Sequence, residues 1–305
     1  MKKILKWIGI VIGSLIGLIL IVAIGLYTKS RLEFGTKYNV QVESVTVPTD
    51  AASIERGKHL TTVLCMECHS DDLGGQVGWL NFGPLGGANT PNLTSGKGGI
   101  GGQFTDEDFV RVLRHGVKPD GTSVFVMPAT DFYYLSDQDL GDVIAYVKSA
   151  PPVDRGGDAQ NVHLSFFGNV MYGAGALGNL LRASQIDQAN RPVNIPEPAV
   201  SAAYGEYLVN INGCRDCHGT QLSGGKTPQP GSPLAPNLTP AGDLSTWKES
   251  DFLQALHSGV TPTGMLPPQF MPWGYKGKMT DDELDAIFMY LQSLPKLPTS
   301  TAPAG

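Results

Sequence analysis

Cys65-Met66-Glu67-Cys68-His69 and Cys214-Arg215-Asp216-Cys217-His218 are the residues of this chain best disposed for chemistry. On one helical turn residues i and i+3 face the same way, so both sulfurs of each pair reach one edge of a planar macrocycle while the adjacent imidazole reaches its centre. That spacing is the attachment signature of c-type haem, with two thioethers to the porphyrin vinyls and the His as one axial iron ligand. Two Cys-x-x-Cys pairs also suit a zinc site, a redox dithiol or disulfides. Zinc ribbons hold their pairs about 15 to 20 residues apart, whereas these motifs lie 149 apart and each runs directly into His. A thioredoxin-like dithiol needs a βαβ setting, and the flanking residues are helical or loop-like. The motifs therefore point to two covalently attached haem c groups, which consume all four cysteines.

The sixth iron ligand decides whether such a site carries electrons or binds small molecules. Met127 lies 58 residues after His69 and Met271 lies 53 after His218, each directly before Pro. A buried Met is ordinarily an adaptable core filler, but this paired placement marks Met127 and Met271 as axial ligands. Met265 is the nearest rival to Met271, yet has no counterpart in the first half of the chain; Met171, Met279 and Met289 are assigned to packing. His59 precedes its motif on what would be the wrong side of a haem, and His115 and His257 end helices where a partial positive charge is favourable. All three are assigned structural roles, and His163 falls in a connecting segment.

The elements around these residues are written twice, with offsets drifting from 149 to 143. Gly57-Lys58-His59-Leu60 leads into the first motif and Gly205-Glu206-Tyr207-Leu208 into the second. Pro91-Asn92-Leu93-Thr94 recurs as Pro236-Asn237-Leu238-Thr239, Asp108-Phe109 as Asp251-Phe252, and Met127-Pro128 as Met271-Pro272. This is duplication of a whole domain. Helices are predicted near 52–67, 105–115, 137–149, 201–216, 247–258 and 281–293, the second of each set ending at Gly116 or Gly259. The third is opened by a capping-box pattern, Ser136-x-x-Asp139 or Thr280-x-x-Glu283. No alternating strand pattern stands out, so the fold class is all-α.

Each copy resembles a class I cytochrome c domain, and the tandem resembles the dihaem, membrane-anchored cytochrome subunits of membrane-bound dehydrogenases. The resemblance rests on the order of Gly-containing helix, CxxCH, PNL, Met-Pro and final helix bearing an aromatic, over about 51–150 and 199–297. It implies that the first and last helices of each copy cross at a glycine packed on an aromatic, Gly57 with Tyr146 and Gly205 with Tyr290. It further implies that the carbonyls of Pro91 and Pro236 accept the Nδ1 proton of the haem histidines, and that haem is attached after export.

From Trp7 to Tyr27 every residue is apolar or small, behind Lys2, Lys3 and Lys6. Such a length spans a bilayer, and exceeds the apolar core of a cleaved signal peptide. The lysines keep the N-terminus cytoplasmic, which places the haem domains on the periplasmic or extracellular side. Beyond those lysines stand 19 Lys and Arg against 28 Asp and Glu, a balance that excludes nucleic acid and anionic headgroups as partners and suits a basic docking surface on a redox protein. The organisation expected is an anchor at 1–31, an extended tether at 32–50, haem domains at 51–150 and 199–299 joined by a linker at 151–198, and a tail at 300–305. The apolar, Gly-rich stretch Leu164–Leu181 would pack between the domains or against a partner subunit. The Gly-rich run 94–102 lacks the order of a phosphate loop and is expected to be a flexible loop beside the haem.

The function expected is electron relay on the outer face of the cytoplasmic membrane, as a carrier or as an electron-transfer subunit with no bond chemistry of its own. A dihaem peroxidase-like enzyme is the first alternative, disfavoured by a matched Met-Pro in both copies. A haem-based redox or gas sensor is the second, disfavoured by about six residues ahead of the span, too few for an output module.

Overall fold

The computed structural model describes residues 2–155, 162–191, 195–225 and 233–300. Helix α1, Lys2–Gly35, is long and apolar enough to cross a membrane, with a mean hydropathy of 2.8 over its most apolar window. It continues past residue 31, the boundary expected for the anchor, because Lys29, Ser30 and Phe34 find protein partners.

The first repeat is built on α2 (Ala51–Leu64), α3 (Met66–His69), α4 (Asp106–His115), α5 (Ala129–Phe132) and α6 (Asp137–Ser149). The second repeats that order as α8 (Ala202–Ile211), α9 (Cys214–His218), α10 (Glu249–Ser258), α11 (Trp273–Lys276) and α12 (Asp281–Ser293). The helices predicted near 52–67 and 201–216, reaching into the Cys-x-x-Cys-His motifs, instead stop and restart, at Cys65 and at Asn212-Gly213. Left-handed Gly116 and Gly259 end α4 and α10 as their sequences foretold.

First and last helices of each repeat cross backbone to backbone. A Cβ on Gly57 would lie 1.9 Å from Asp142 O and 3.0 Å from the Tyr146 Cβ, and one on Gly205 would lie 1.9 Å from Ala286 O and 2.9 Å from the Tyr290 Cβ. No side chain fits there, so glycine sets the helix separation. Around each crossing the core closes on Leu60, Leu140 and Ile144 in one repeat and Leu208, Leu284 and Leu291 in the other, all at most 3% exposed. One continuous apolar cluster runs through both repeats.

Thr280 and Glu283 form the full reciprocal cap on α12. Ser136 accepts from the Asp139 amide, but the Asp139 carboxylate does not return to the cap; it is drawn instead to Arg56 and to the Tyr207 hydroxyl.

Short strands add to the helical scaffold, where no strand pattern was expected. β1 (Gln76–Asn81) and β2 (Gly86–Thr90) pair antiparallel with Leu80 opposite Ala88, and β3 (Val162–Leu164), from the segment between repeats, extends the sheet with His163 opposite Gly87. In β2, Gly-Gly-Ala-Asn-Thr carries no alternation, and its pairing is supplied by distant chain. β4 (Val260–Thr261) and β5 (Gly264–Met265) form a small hairpin.

Residues 36–50 are extended but not a free tether. Tyr38 N–H donates to Gly121 O at 2.8 Å, Glu43 binds the fully buried Arg114 at 2.5 Å, and Val42, Val45 and Val47 pack on the core. The segment between repeats likewise joins the first. Val126 N–H donates to Leu180 O at 2.8 Å, and the Tyr133 hydroxyl to Asp187 O at 3.0 Å. Its helix α7, Phe166–Gly173, packs on α1 and not between the haem domains. The run 94–102 is folded on itself rather than loose, with Ile100 N–H on Asn92 O and Lys97 N–H on the Asp154 carboxylate. The tail lies outside the described residues from 301 onward.

Candidate functional site

Each Cys-x-x-Cys-His motif occupies one tight turn. Cys65 ends α2 with its N–H on Thr61 O at 2.8 Å, and the amides of Cys68 and His69 both return to Cys65 O, at 3.1 and 3.0 Å. Left-handed Gly213 performs the same break before Cys214. All four cysteines are free of disulfides.

Both histidines are oriented from behind by a prolyl carbonyl. His69 Nδ1–H donates to Pro91 O at 2.9 Å and His218 Nδ1–H to Pro236 O at 2.9 Å. A carbonyl only accepts, so the proton sits on Nδ1 and the lone pair is left on Nε2. Burial pushes both imidazoles below their ordinary range, against the carbonyls, which favour the charged form.

The prolines are held by a loop with the same geometry in both repeats. Left-handed Leu73 (φ 57°) and Leu222 (φ 59°) are at most 1% exposed. Gly75 and Gly224 return their amides to the carbonyls of His69 and His218 at 2.9 and 2.8 Å. Asn92 Oδ1 accepts from Thr94 N–H at 2.9 Å and Asn237 Oδ1 from Thr239 N–H at 2.8 Å. Leu73 and Leu222 escaped the sequence reading. Their signal was the recurrence of Leu-x-Gly four residues beyond each His.

Met127 and Met271 sit in matching turns. Pro128 (φ −76°, ψ 55°) and Pro272 (φ −77°, ψ 55°) bend the chain so that the amides of Ala129 and Trp273 reach the methionine carbonyls at 2.7 and 2.8 Å. Both methionines are partly buried against the core cluster that contains Cys65, and Cys214 packs against that cluster with them. Met265 is 67% exposed in β5. His59 Nε2 pairs with the Glu283 carboxylate at 2.7 Å, His115 lies between Glu43 and Gln188, and His257 between Gly277 O and the Asp281 carboxylate. His163 lies in β3.

These surroundings fit thioether-bound haem and do not fit the competing cysteine chemistries. A redox dithiol needs a depressed thiol pKa, whereas burial pushes Cys65 and Cys68 up to about 12 and Cys214 up to about 11. Among the described residues no cluster of three or more His, Cys, Asp or Glu is disposed to hold a metal ion by itself. What the site offers is paired thiols on one turn, an imidazole with its Nε2 lone pair free of the prolyl bond, and a thioether packed against the same core cluster.

The two sites face a common seam. From α11 of the second repeat, Lys276 Nζ donates to Val63 O at 3.2 Å and to Asn212 Oδ1 at 3.2 Å, so one ammonium joins the helices leading into both motifs. Burial holds that amine below its ordinary range, although Cys214, Glu67, Asp131 and Cys65 all favour its charge. From α5 of the first repeat, Asp131 closes on Gly213, where a Cβ would stand 2.6 Å from its Oδ2. Burial and then the Asp216 carboxylate push Asp131 up to about 8. Arg56 clamps the repeats farther along, donating to Asp139 at 3.1 Å, Glu283 at 2.9 Å and the Tyr204 hydroxyl at 2.9 Å. Burial alone would raise Glu283, but the bond and charge of His59 and the bond of Arg56 hold it at about 2. None of Arg56, Asp131 and Lys276 bears a motif, so only their charge and helical placement could have singled them out.

The family model for cytochrome c matches residues 54–151 and 202–295. The chain is 29% identical over 275 residues to the cytochrome c subunit of a quinone alcohol dehydrogenase of Gluconobacter oxydans, covering 82% of this chain and 56% of that protein. It is 26% identical over 291 residues to the fructose dehydrogenase cytochrome subunit of Gluconobacter japonicus, covering 82% and 55%. It is 28% identical over 216 residues to a dihaem cytochrome c-type protein of Cereibacter sphaeroides, covering 65% and 68%. The chain thus spans little more than half the length of the two dehydrogenase cytochromes.

Proposed function

The chain belongs to the cytochrome c family, matched over both repeats, and from that premise we propose a membrane-anchored dihaem electron relay that serves as the cytochrome subunit of a membrane dehydrogenase. It carries two covalently attached haem c groups, one per repeat, and each supplies a one-electron ferric/ferrous couple. Cys65 and Cys68, and Cys214 and Cys217, are the covalent anchors. Nε2 of His69 and His218 and the sulfurs of Met127 and Met271 would hold the irons, with Pro91 and Pro236 fixing each imidazole's tautomer and orientation.

The observation that carries the relay reading is the sameness of the two sites. Both have a His Nδ1 on a prolyl carbonyl at 2.9 Å and a Met-Pro turn of one geometry. A peroxidase-like enzyme needs one iron that opens to substrate, and among the described residues the prolyl bond and the Met-Pro turn are alike in both sites. Lys276 and Asp131, each reaching from one repeat toward the other's attachment helix, support electron exchange within the chain. The named partners of the relatives support a dehydrogenase as donor. Lys2, Lys3 and Lys6 before the span support haem domains on the periplasmic side.

Optical spectroscopy of the purified protein in both redox states, with a pyridine haemochrome count and a carbon monoxide challenge, tests the reading. Two low-spin haems per chain, a sulfur-to-iron band scaling to both and no carbon monoxide shift are expected. One high-spin haem that takes up the gas would sink the relay and favour an enzyme or sensor.

A further inference from the structure

Helix α7 exposes an apolar face that nothing in the described protein covers. Phe166, Phe167 and Met171 are 47%, 69% and 39% exposed, while Asn169, Tyr172 and Gly173 on the other side are buried. From Leu164 to Leu181 there is no Asp, Glu, Lys or Arg. This arrangement inverts that of an ordinary surface helix, whose outward face is polar.

The position of α7 along α1 tells what meets this face. The apolar run Trp7–Tyr27 is about 30 Å long, one hydrocarbon thickness, so its outer end falls at Tyr27. Phe166, at the start of α7, stacks on Tyr27 with ring centroids 5.4 Å apart and planes at 23°. Gly173, at its end, abuts Leu26, whose carbonyl lies 2.1 Å from where a glycine Cβ would stand. Both ends of α7 thus meet the same turn of α1, and the helix lies across α1 at the depth where the span leaves the hydrocarbon. Between them Ser30 Oγ, fully buried, donates to Asn169 Oδ1 at 2.9 Å, and Lys29 Nζ donates to Gly173 O at 3.0 Å. An aromatic pair and a lysine at that depth are the usual furniture of a headgroup boundary.

We infer that α7 is an interfacial helix whose Phe166, Phe167 and Met171 face enters the lipid bilayer beside α1, fixing the attitude of the first haem domain to the membrane. The continuity of this face with the span favours lipid over a protein partner, and its lack of charge is what insertion at the acyl boundary requires. The link to the haem domain is stiff. α7 follows directly on β3, and Leu85 O lies 2.0 Å from where a Cβ on Gly168 would stand. Farther on, Val126 N–H holds Leu180 O beside Met127. This inference does not depend on the electron-relay reading, since it concerns only where the chain meets lipid.

The test is nitroxide accessibility in the full-length haem-loaded protein, reconstituted in phosphatidylcholine–phosphatidylglycerol vesicles. Labels go on Phe167→Cys and Met171→Cys, with Ile21→Cys as a reference within the span and Glu55→Cys as an aqueous one. Each variant must retain the wild-type haem content. Labels at 167 and 171 are expected to favour oxygen over a water-soluble nickel complex several-fold relative to position 55, and to lose that preference when Phe166 is also changed to Asp. Nickel accessibility at 167 equal to that at 55 overturns the inference. So does a label shielded from both reagents, which would mean that protein covers the face.

Discussion

Arg56→Met removes the cation that holds the two haem domains together while keeping a side chain of similar length. Arg56 makes three charge-assisted bonds at 2.9 to 3.1 Å, to Asp139, Glu283 and the Tyr204 hydroxyl. The carboxylates it neutralises are 10% and 7% exposed, so the substitution leaves two buried anions without their guanidinium. Removing one partner of a buried pair costs about 3 to 5 kcal/mol. Three conditions set this case at the lower end. Arg56 is itself 25% exposed, Glu283 keeps His59, and Asp139 keeps Tyr207. A loss of about 3 kcal/mol is expected at pH 7. Denaturant unfolding of the haem-loaded protein, followed by Soret absorbance and far-ultraviolet circular dichroism, reads it directly. The variant's midpoint should fall, and its transition should split as the domains begin to unfold separately. In a double-mutant cycle with Glu283→Gln the two losses should fall short of additive by about 1 to 2 kcal/mol. A loss under about 0.5 kcal/mol, or strict additivity, would refute the clamp.

Acid should loosen the same seam. Glu283 is held at about 2 in the folded protein against an ordinary 4.5, so its stabilisation is complete above pH 4.5 and drains away as pH falls toward 2. Glu283→Gln should flatten that part of the stability–pH curve, and an unchanged slope would refute the assignment. Gly57→Ala and Gly205→Ala each drive a methyl to 1.9 Å of a carbonyl oxygen; each should cost several kcal/mol of stability or abolish haem loading of its own domain, visible in the haemochrome count. Met127→Ala and Met271→Ala should each remove the sulfur-to-iron band of one haem, lower that haem's potential and admit carbon monoxide there alone. Lys276→Met removes a cation felt by Cys65 and Cys214. Both midpoint potentials should fall in redox titration, on the order of tens of millivolts, and a shift confined to one haem would contradict a shared seam.

The sequence by itself determined the chemistry of attachment, because that chemistry is local. Two sulfurs and an imidazole within five residues need only one helical turn, and the repeat singled out Met127 with Met271 as ligand candidates, while Pro91 and Pro236 came from the family resemblance. Helix ends were equally legible where a single residue decides them, as at Gly116, Gly259 and Thr280. The glycines of the helix crossings, Gly57 and Gly205, stood in their expected places as well. Tertiary structure alone decided the contacts that join one repeat to the other. Arg56 meets Glu283 across 227 positions and Lys276 meets Val63 across 213, and no local pattern encodes which surface charge finds which carboxylate. The β1–β2–β3 sheet was hidden because its middle strand opens on two glycines and has no apolar–polar alternation, its order coming from backbone pairing with a distant segment. The apolar run 164–181 declared its composition but not its place. Only the packing of α7 on the end of α1, through a buried Ser30–Asn169 bond, sets it at the level of the bilayer surface.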